Sequence, residues 1–241
     1  MFDIILEPSA GEGSFYNLLP LDKRIGIDID PKCEGVLQAD FLQYEIPSGN
    51  ILAIGNPPFG KISSLAVKFF NRCAQYCSVI AFIIPRTFKR ISLQNQLDDN
   101  FHLVYSEDLP LKPCCFTPKM DAKCCFQIWE KRQTKREKIV LDKMHPDFTF
   151  LKYGPIDSNG QPTVPEGAHF AMKAYGSNCG EIVEDMEDLR PKSWHFIVAN
   201  IDVTLLKERF NELDYSVSRD TVRQDSIGQQ EVIMLYKNRF G

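Results

Sequence analysis

The sequence predicts an α/β protein with a mostly parallel sheet flanked by helices on both faces, followed by a smaller C-terminal α+β region. Three observations predict it. Short apolar runs alternate with stretches whose apolar residues recur at three- and four-residue steps, the early runs close on Gly- or Pro-containing turns, and the composition changes near residue 130. The 241 residues leave room for one full α/β domain and an appendage.

The elements follow in order. Ile4-Ile5-Leu6 reads as a short buried strand ending in the turn Glu7-Pro8-Ser9-Ala10-Gly11-Glu12-Gly13, and Ser14 to Leu19 as a short helix stopped by Pro20. Arg24 to Asp30 is a second strand, Val36 to Phe41 a third, and Ile51 to Gly55 a fourth that runs into Asn56-Pro57-Pro58-Phe59-Gly60. Ser63 to Tyr76 has helical spacing through Leu65, Phe69, Cys73 and Tyr76. Val79 to Ile84 is a buried strand closed by Pro85, Ile91 to Asp99 a helix, and Leu103 to Tyr105 a strand. Cys114 to Phe116 and Cys124 to Trp129 read as the arms of a hairpin around Thr117-Pro118-Lys119-Met120-Asp121.

Residues 1–130 thus form one predicted domain. Residues 131–167, with the basic run Lys131 to Lys138 and a Gly/Pro-rich stretch, read as a linker with little regular structure. Residues 168–241 form an accessory or target-recognition region, with strands at His169–Ala174, Trp194–Val198 and Val232–Tyr236 and a helix at Leu205–Leu213.

Composition excludes several classes. Lys and Arg number 28 against 32 Asp and Glu, so a protein that holds nucleic acid by bulk charge is excluded and any such contact must come from a local patch. Eight scattered cysteines do not make a disulfide-dense secreted domain, and with no basic leader or membrane-length apolar run the expected setting is intracellular. The pairs Cys114-Cys115 and Cys124-Cys125 lack the C-x2-C spacing of a zinc knuckle and read as core packing, and the four histidines have no ligand spacing, so no metal is expected.

Four features carry chemistry. Gly11-x-Gly13 between a strand and a helix lets backbone approach a ligand closely, a feature shared with ordinary tight connections. No Gly-Lys-Ser/Thr follows, which disfavours a P-loop, and Tyr16 stands where a dinucleotide fingerprint has its third glycine. Asp28, fifteen residues after Gly13, ends the second strand and can accept the two hydroxyls of a ribose; Asp30 is an equal candidate by strand alternation. Asp40-Phe41 offers an acceptor for an exocyclic amine and a ring for a purine.

Asn56-Pro57-Pro58-Phe59 is the most specific signal. Two prolines fix the backbone and remove two amide donors, leaving acceptors in a rigid loop after a buried strand. Asn56 Oδ1 and the Pro57 carbonyl can take both N–H bonds of an NH2 group on a planar substrate, aiming the nitrogen lone pair at an electrophile while Phe59 stacks on the ring.

Glu7-Pro8-Ser9-Ala10-Gly11-Glu12-Gly13-Ser14-Phe15 together with Asn56-Pro57-Pro58-Phe59 resembles the S-adenosylmethionine-dependent adenine-N6 methyltransferases, and the motif order resembles the gamma group of DNA methyltransferases. The resemblance covers about residues 1–130 and implies a Rossmann-like seven-stranded methyltransferase sheet whose last hairpin contains an antiparallel strand. It implies S-adenosylmethionine held by Glu7, Pro8, Ala10, Gly11, Gly13, Asp28, Ile29, Asp40, Phe41 and Asn56, catalysis by Asn56, Pro57, Pro58 and Phe59, and a flipped base met by Phe59 and Phe116. The implied partner is nucleic acid, DNA ahead of RNA, with the patches Arg86–Arg90 (Arg86 and Lys89 first) and Lys131–Lys138 as backbone contacts.

RNA adenine, a glutamine side chain, and a silent binding subunit are the alternative readings. The family usually has a segment before the first strand that helps close the cofactor pocket, whereas this sequence starts at that strand. Its helices after the first two strands are short, so the cofactor edge is expected to be thinly covered, with a partner subunit as one way to complete it.

Overall fold

The topology of the first half decides where a site can be. In a computed structural model, which describes residues 1–117 and 119–241, Met1–Ile139 form one compact unit and Val140–Gly241 another. The first unit contains β1 (Ile4–Glu7), β2 (Arg24–Asp28), β3 (Leu37–Gln38), β4 (Ile51–Gly55), β5 (Val79–Pro85), β6 (Phe101–Asp108) and β7 (Cys124–Lys131). They form one sheet in the order β3-β2-β1-β4-β5-β7-β6. The first five strands pair in parallel, and β7 runs antiparallel to both β5 and β6. This is the Rossmann-like methyltransferase sheet expected above.

Parallel strands covered on both faces need near-continuous apolar sequence, which Ile80-Ala81-Phe82-Ile83-Ile84 supplies. Leu6, Ile27, Ile51, Ile80 and Ile84 are fully buried in the resulting core. The crossover from β4 to β5 is α1 (Ser64–Ala74), whose Ala66, Phe69, Phe70 and Cys73 form a single buried stripe. Phe70 meets Phe101 and Trp129 edge-on at 5.8 and 5.4 Å, an arrangement that adds about 0.5–1.5 kcal/mol per pair beyond the buried area. Trp129 Nε1 donates to the buried Gln127 Oε1 at 3.0 Å, so that polar pair is satisfied.

Several elements are shorter than expected. The β1–β2 connection has only a 3-10 turn at Tyr16–Leu18, and β3 is two residues long, because Asp40 turns the chain. Its Oδ1 accepts from the Leu42 amide and its carbonyl accepts from the Gln43 and Tyr44 amides. Helix α2 (Ile91–Gln94) stops early; Asp98 Oδ1 takes the Asn100 amide in a competing turn. The first hairpin arm is β6, not Cys114–Phe116, a stretch that follows Pro110 and Pro113 and in which the Cys114 thiol donates to the Phe116 and Met120 carbonyls. Pro118, in the expected hairpin turn, lies outside the described residues. Cys124 and Cys125 are core residues, but Cys114 is half-buried and Cys115 exposed, which corrects the core assignment for that pair.

The second unit is an antiparallel sheet of β8 (Phe148–Leu151), β9 (Phe170–Lys173), β10 (Ile182–Val183) and β11 (Trp194–Ala199) in the order β10-β9-β11-β8, with α3 (Val203–Asn211) and α4 (Gln229–Phe240). Strand β8 falls inside the stretch 131–167 that was expected to lack regular structure. Val232–Tyr236, expected as a strand, lies in α4: Glu231 Oε2 accepts from the Gly228 amide and starts the helix, which buries Val232, Ile233 and Tyr236 on one face. Phe148, Phe210 and Tyr236 pack ring to ring, and Asp147 Oδ2 accepts from both Arg209 and the Tyr236 hydroxyl at 2.9 and 2.7 Å. This unit carries 11 Lys and Arg against 16 Asp and Glu, so the acidic excess of the chain resides here. Among the described residues, no helix is long and apolar enough to cross a membrane.

Candidate active site

Strand order reverses beside β1: the chain steps outward to β2 and β3, then returns to place β4 on the other side. In open α/β sheets the crevice outside the carboxyl ends at such a switch point is where ligands bind. Here those ends are Glu7 of β1, Asp28 of β2 and Gly55 of β4. A cavity of about 570 Å³ opens beside them, within the usual range of small-molecule sites. Pro8, Asp28, Ile29, Asp40, Phe41, Asn56 and Pro58 line it, together with Ser9, Ala39, Leu42, Leu65 and Phe69.

The glycine loop is braced from below. Gly11 and Gly13 both have positive φ, 51° and 82°. A side chain at Gly13 would come within 2.5 Å of Cys33 Sγ and 2.8 Å of Asn17 Nδ2. Ala10 donates its amide to the Ile27 carbonyl at 3.0 Å, and Gly11 donates to Asp28 Oδ2 at 2.8 Å. Asp28 Oδ1 accepts from the Asp30 amide at 2.9 Å. Each carboxylate oxygen keeps a second lone pair, so Asp28 can hold the loop and still accept hydroxyls from a ligand. Asp30 instead turns to solvent and pairs with Lys32 at 2.7 Å, which separates two residues that strand alternation leaves equal.

Behind this loop lies Glu7, 2 % exposed, with Oε2 unpartnered. Burial pushes its carboxyl up to about 8; a main-chain hydrogen bond from Tyr16 opposes the rise and the Asp28 charge adds to it. Glu7, Ala10, Gly11 and Gly13 therefore shape the cavity without lining it.

Of the loop Asn56–Phe59, Asn56 and Pro58 line the other wall, whereas Pro57, which is buried, and Phe59 do not line the cavity. The Asn56 main-chain carbonyl accepts from Ser9 Oγ at 3.1 Å, which ties it to the glycine loop. Its side-chain Oδ1 is buried and has no hydrogen-bond partner. A buried acceptor without a donor costs about 1–3 kcal/mol. Phe59 is half-buried, and its carbonyl accepts from the Leu65 and Ala66 amides, turning the loop back onto α1. Phe41 and Phe69, 5.0 Å apart, make an apolar floor.

The candidate nucleic-acid contacts fall elsewhere. Arg86 donates to the Leu109 and Cys124 carbonyls and pairs with Asp108 at 3.5 Å, and its side chain is 17 % exposed. Lys89 also pairs with Asp108, at 3.2 Å. These cations brace the β5, β6 and β7 ends. The run Lys131–Lys138 is at the opposite end of the sheet from Asn56: Glu130 pairs with Val79, the first residue of β5, and Lys131 with Phe101, the first of β6. Arg136 is committed there to the Phe101, Gln94 and Leu97 carbonyls and lies over Trp129. Phe116 is half-buried in the β6–β7 connection and does not line the cavity.

Sequence reasoning missed Ser9, Ala39, Leu42, Leu65 and Phe69. The last two stand four apart on the helix that follows the Asn-Pro-Pro-Phe loop, a spacing that could have marked them. Among the described residues, no group of three or more His, Cys, Asp or Glu is arranged to hold a metal ion.

No protein-family profile and no curated protein matches the chain. Among solved structures it is similar to the 23S rRNA methyltransferase ErmE, at 20 % identity over 55 % of this chain and 63 % of that one, with a TM-score of 0.41. A dimethyladenosine transferase from Plasmodium falciparum gives 20 % identity over 54 % of this chain and 56 % of that one, also with a TM-score of 0.41. A Thermoplasma acidophilum protein matches at 17 % identity, covering 54 % of this chain and 80 % of its own, again with a TM-score of 0.41.

Proposed function

We propose that the chain is an S-adenosylmethionine-dependent methyltransferase acting on the N6 amine of adenine in nucleic acid. The observation that carries this reading is Asn56, which lines the cavity and whose buried side-chain Oδ1 has no hydrogen-bond partner, in a loop whose two prolines remove amide donors.

The cavity fits the cofactor by its donor set. Asp28 supplies lone pairs for ribose hydroxyls, Asp40 an acceptor for the adenine amine, and Phe41 and Phe69 an apolar surface for the purine. The two carboxylates also favour a cationic ligand. When bound, S-adenosylmethionine supplies a methyl group on a positively charged sulfur.

The chain's own residues then have three tasks. Asn56 Oδ1 accepts one N–H of the target amine and the Pro57 carbonyl the other, which draws the nitrogen lone pair out of conjugation with the ring. Phe59 stacks on the base and holds its plane. The Ser9–Asn56 hydrogen bond fixes the distance between the two walls, so that orientation rather than a strong base lowers the barrier.

The loop reads the base, which DNA and RNA share, so both polymers enter the test. Radiolabelled methyl transfer to matched single- and double-stranded DNA and RNA, with N6-methyladenine read out by nucleoside analysis, is expected to give product on at least one. Cofactor binding without methylated adenine on any polymer sinks the reading. Methylation of a glutamine amide instead would redirect it to a protein substrate.

A further inference from the structure

We propose that Ile62 is a positioning residue that packs against the base next to the target adenine and keeps the target out of the stack; this rests on the adenine-methyltransferase reading. Ile62 follows the catalytic loop and has φ 52° and ψ 41°, and Ser63 has φ 60°. The left-handed region is disfavoured for any residue with a Cβ and most of all for a β-branched one. Two such residues in succession form a strained turn.

The rest of the turn explains how the strain is held but not why isoleucine is there. Gly60 has φ 68°, and a Cβ on it would come within 2.7 Å of the Leu65 Cβ. The Leu65 and Ala66 amides donate to the Phe59 carbonyl. Ser63 is 1 % exposed, and its Oγ is 2.8 Å from the Thr87 Oγ1, just beyond the end of β5. The turn is thus pinned at both sides, between the carboxyl ends of β4 and β5, on the catalytic side of the sheet.

Ile62 itself is 82 % exposed. Its side chain returns almost no burial to the fold, although glycine or asparagine would sit in that backbone with less strain. A rigid, strained, apolar tip six residues after Asn56 is what a wedge against nucleic acid requires. Apolar side chains of this size enter base steps and unstack them, and a target base must leave its stack before its amine can reach an Asn-Pro-Pro-Phe loop.

The test uses the full chain and two substrates that differ only at the target: one adenine paired in a duplex or hairpin stem, the other opposite a mismatch that already leaves it unstacked. Ile62→Ala is expected to lower kcat/KM at least about tenfold on the paired adenine and less than about threefold on the mismatched one. Ile62→Leu should restore the paired activity. Affinity for S-adenosylmethionine should be unchanged in both variants. Ile62→Gly, which suits the backbone, should melt no lower than the wild type and show the same selective loss, which guards against misfolding. With 2-aminopurine at the paired target, the rise in fluorescence on binding should shrink in the Ala and Gly variants. Equal activity of all variants, or an equal loss on both substrates, overturns the proposal. So does a wild-type enzyme that methylates only unpaired adenine. A wild-type chain that methylates no adenine overturns the functional reading first and this inference with it.

Discussion

The Ser9 hydroxyl donates a 3.1 Å hydrogen bond to the main-chain carbonyl of Asn56, joining two loops 47 residues apart in sequence. One loop shapes the cavity, and the other carries the proposed acceptor, Asn56 Oδ1. Ser9→Ala should leave the fold intact, since one such bond is worth about 0.5–1.5 kcal/mol. The same loosening acts on the reacting geometry, so kcat should fall about five- to tenfold while cofactor affinity changes less than about threefold. Steady-state kinetics with cofactor titration by calorimetry checks this; an unchanged kcat would mean the tether is ornamental.

Asn56→Ala separates stability from function. It removes a buried acceptor that has no partner, so the melting temperature should not fall and is expected to rise. Turnover should drop about 10²–10³-fold, the usual cost of one lost preorganised polar group at a reacting centre. A less active but less stable variant would show that the side chain serves packing.

Asp28→Ala removes two charge-assisted hydrogen bonds, to the Gly11 and Asp30 amides, and opens the positive-φ turn at Gly11. Cofactor affinity should weaken by about tenfold or more, given about 1.5–3 kcal/mol for a hydrogen bond to a charged group. Asp30→Ala, which loses only the exposed pair with Lys32, should stay within about twofold. Equal effects from the two substitutions would contradict the assignment.

Glu7 predicts the pH dependence of the fold. The folded chain keeps this carboxyl protonated up to about pH 8, whereas an unfolded chain releases the proton near 4.5. The native state therefore binds more protons between those values, and stability falls as pH rises through them. Glu7→Gln should flatten that decline and melt higher than the wild type at pH 8.5. Thermal unfolding from pH 4.5 to 9 reads it directly, and parallel curves for the two proteins would place the titration elsewhere.

The parts of the fold legible in the sequence are those with a local signal. β1, β2 and β4 are apolar runs ended by turn residues, and the Asn56 loop is a motif with its own chemistry, so Pro8, Asp28, Asp40, Phe41 and Asn56 could be named from sequence, whereas the lining residues Ser9, Ala39, Leu42, Leu65 and Phe69 were missed. The misread parts depend on partners. β6 ends in the exposed polar stretch Ser106-Glu107-Asp108, which lacks an apolar signal and is a strand only because β7 pairs with it. Val232–Tyr236 has apolar residues that suit a strand or one helical face, and the decision lies in the Gly228–Glu231 start. The place of the basic run after β7 is likewise set by pairing. The antiparallel direction of β7 carries it to the far end.

That same strand constrains how the domain can be made. β7 slots between β5 and β6, so the outer edge of β5 has no lasting partner until Cys124–Lys131 arrives, some forty residues later along the chain. A nascent chain halted before Cys124 would present the apolar edge of Val79–Pro85 to its neighbours, the sort of surface that templates aggregation. The domain cannot be assembled strand by strand in the order of synthesis: its centre closes only when the last strand of the sheet is inserted.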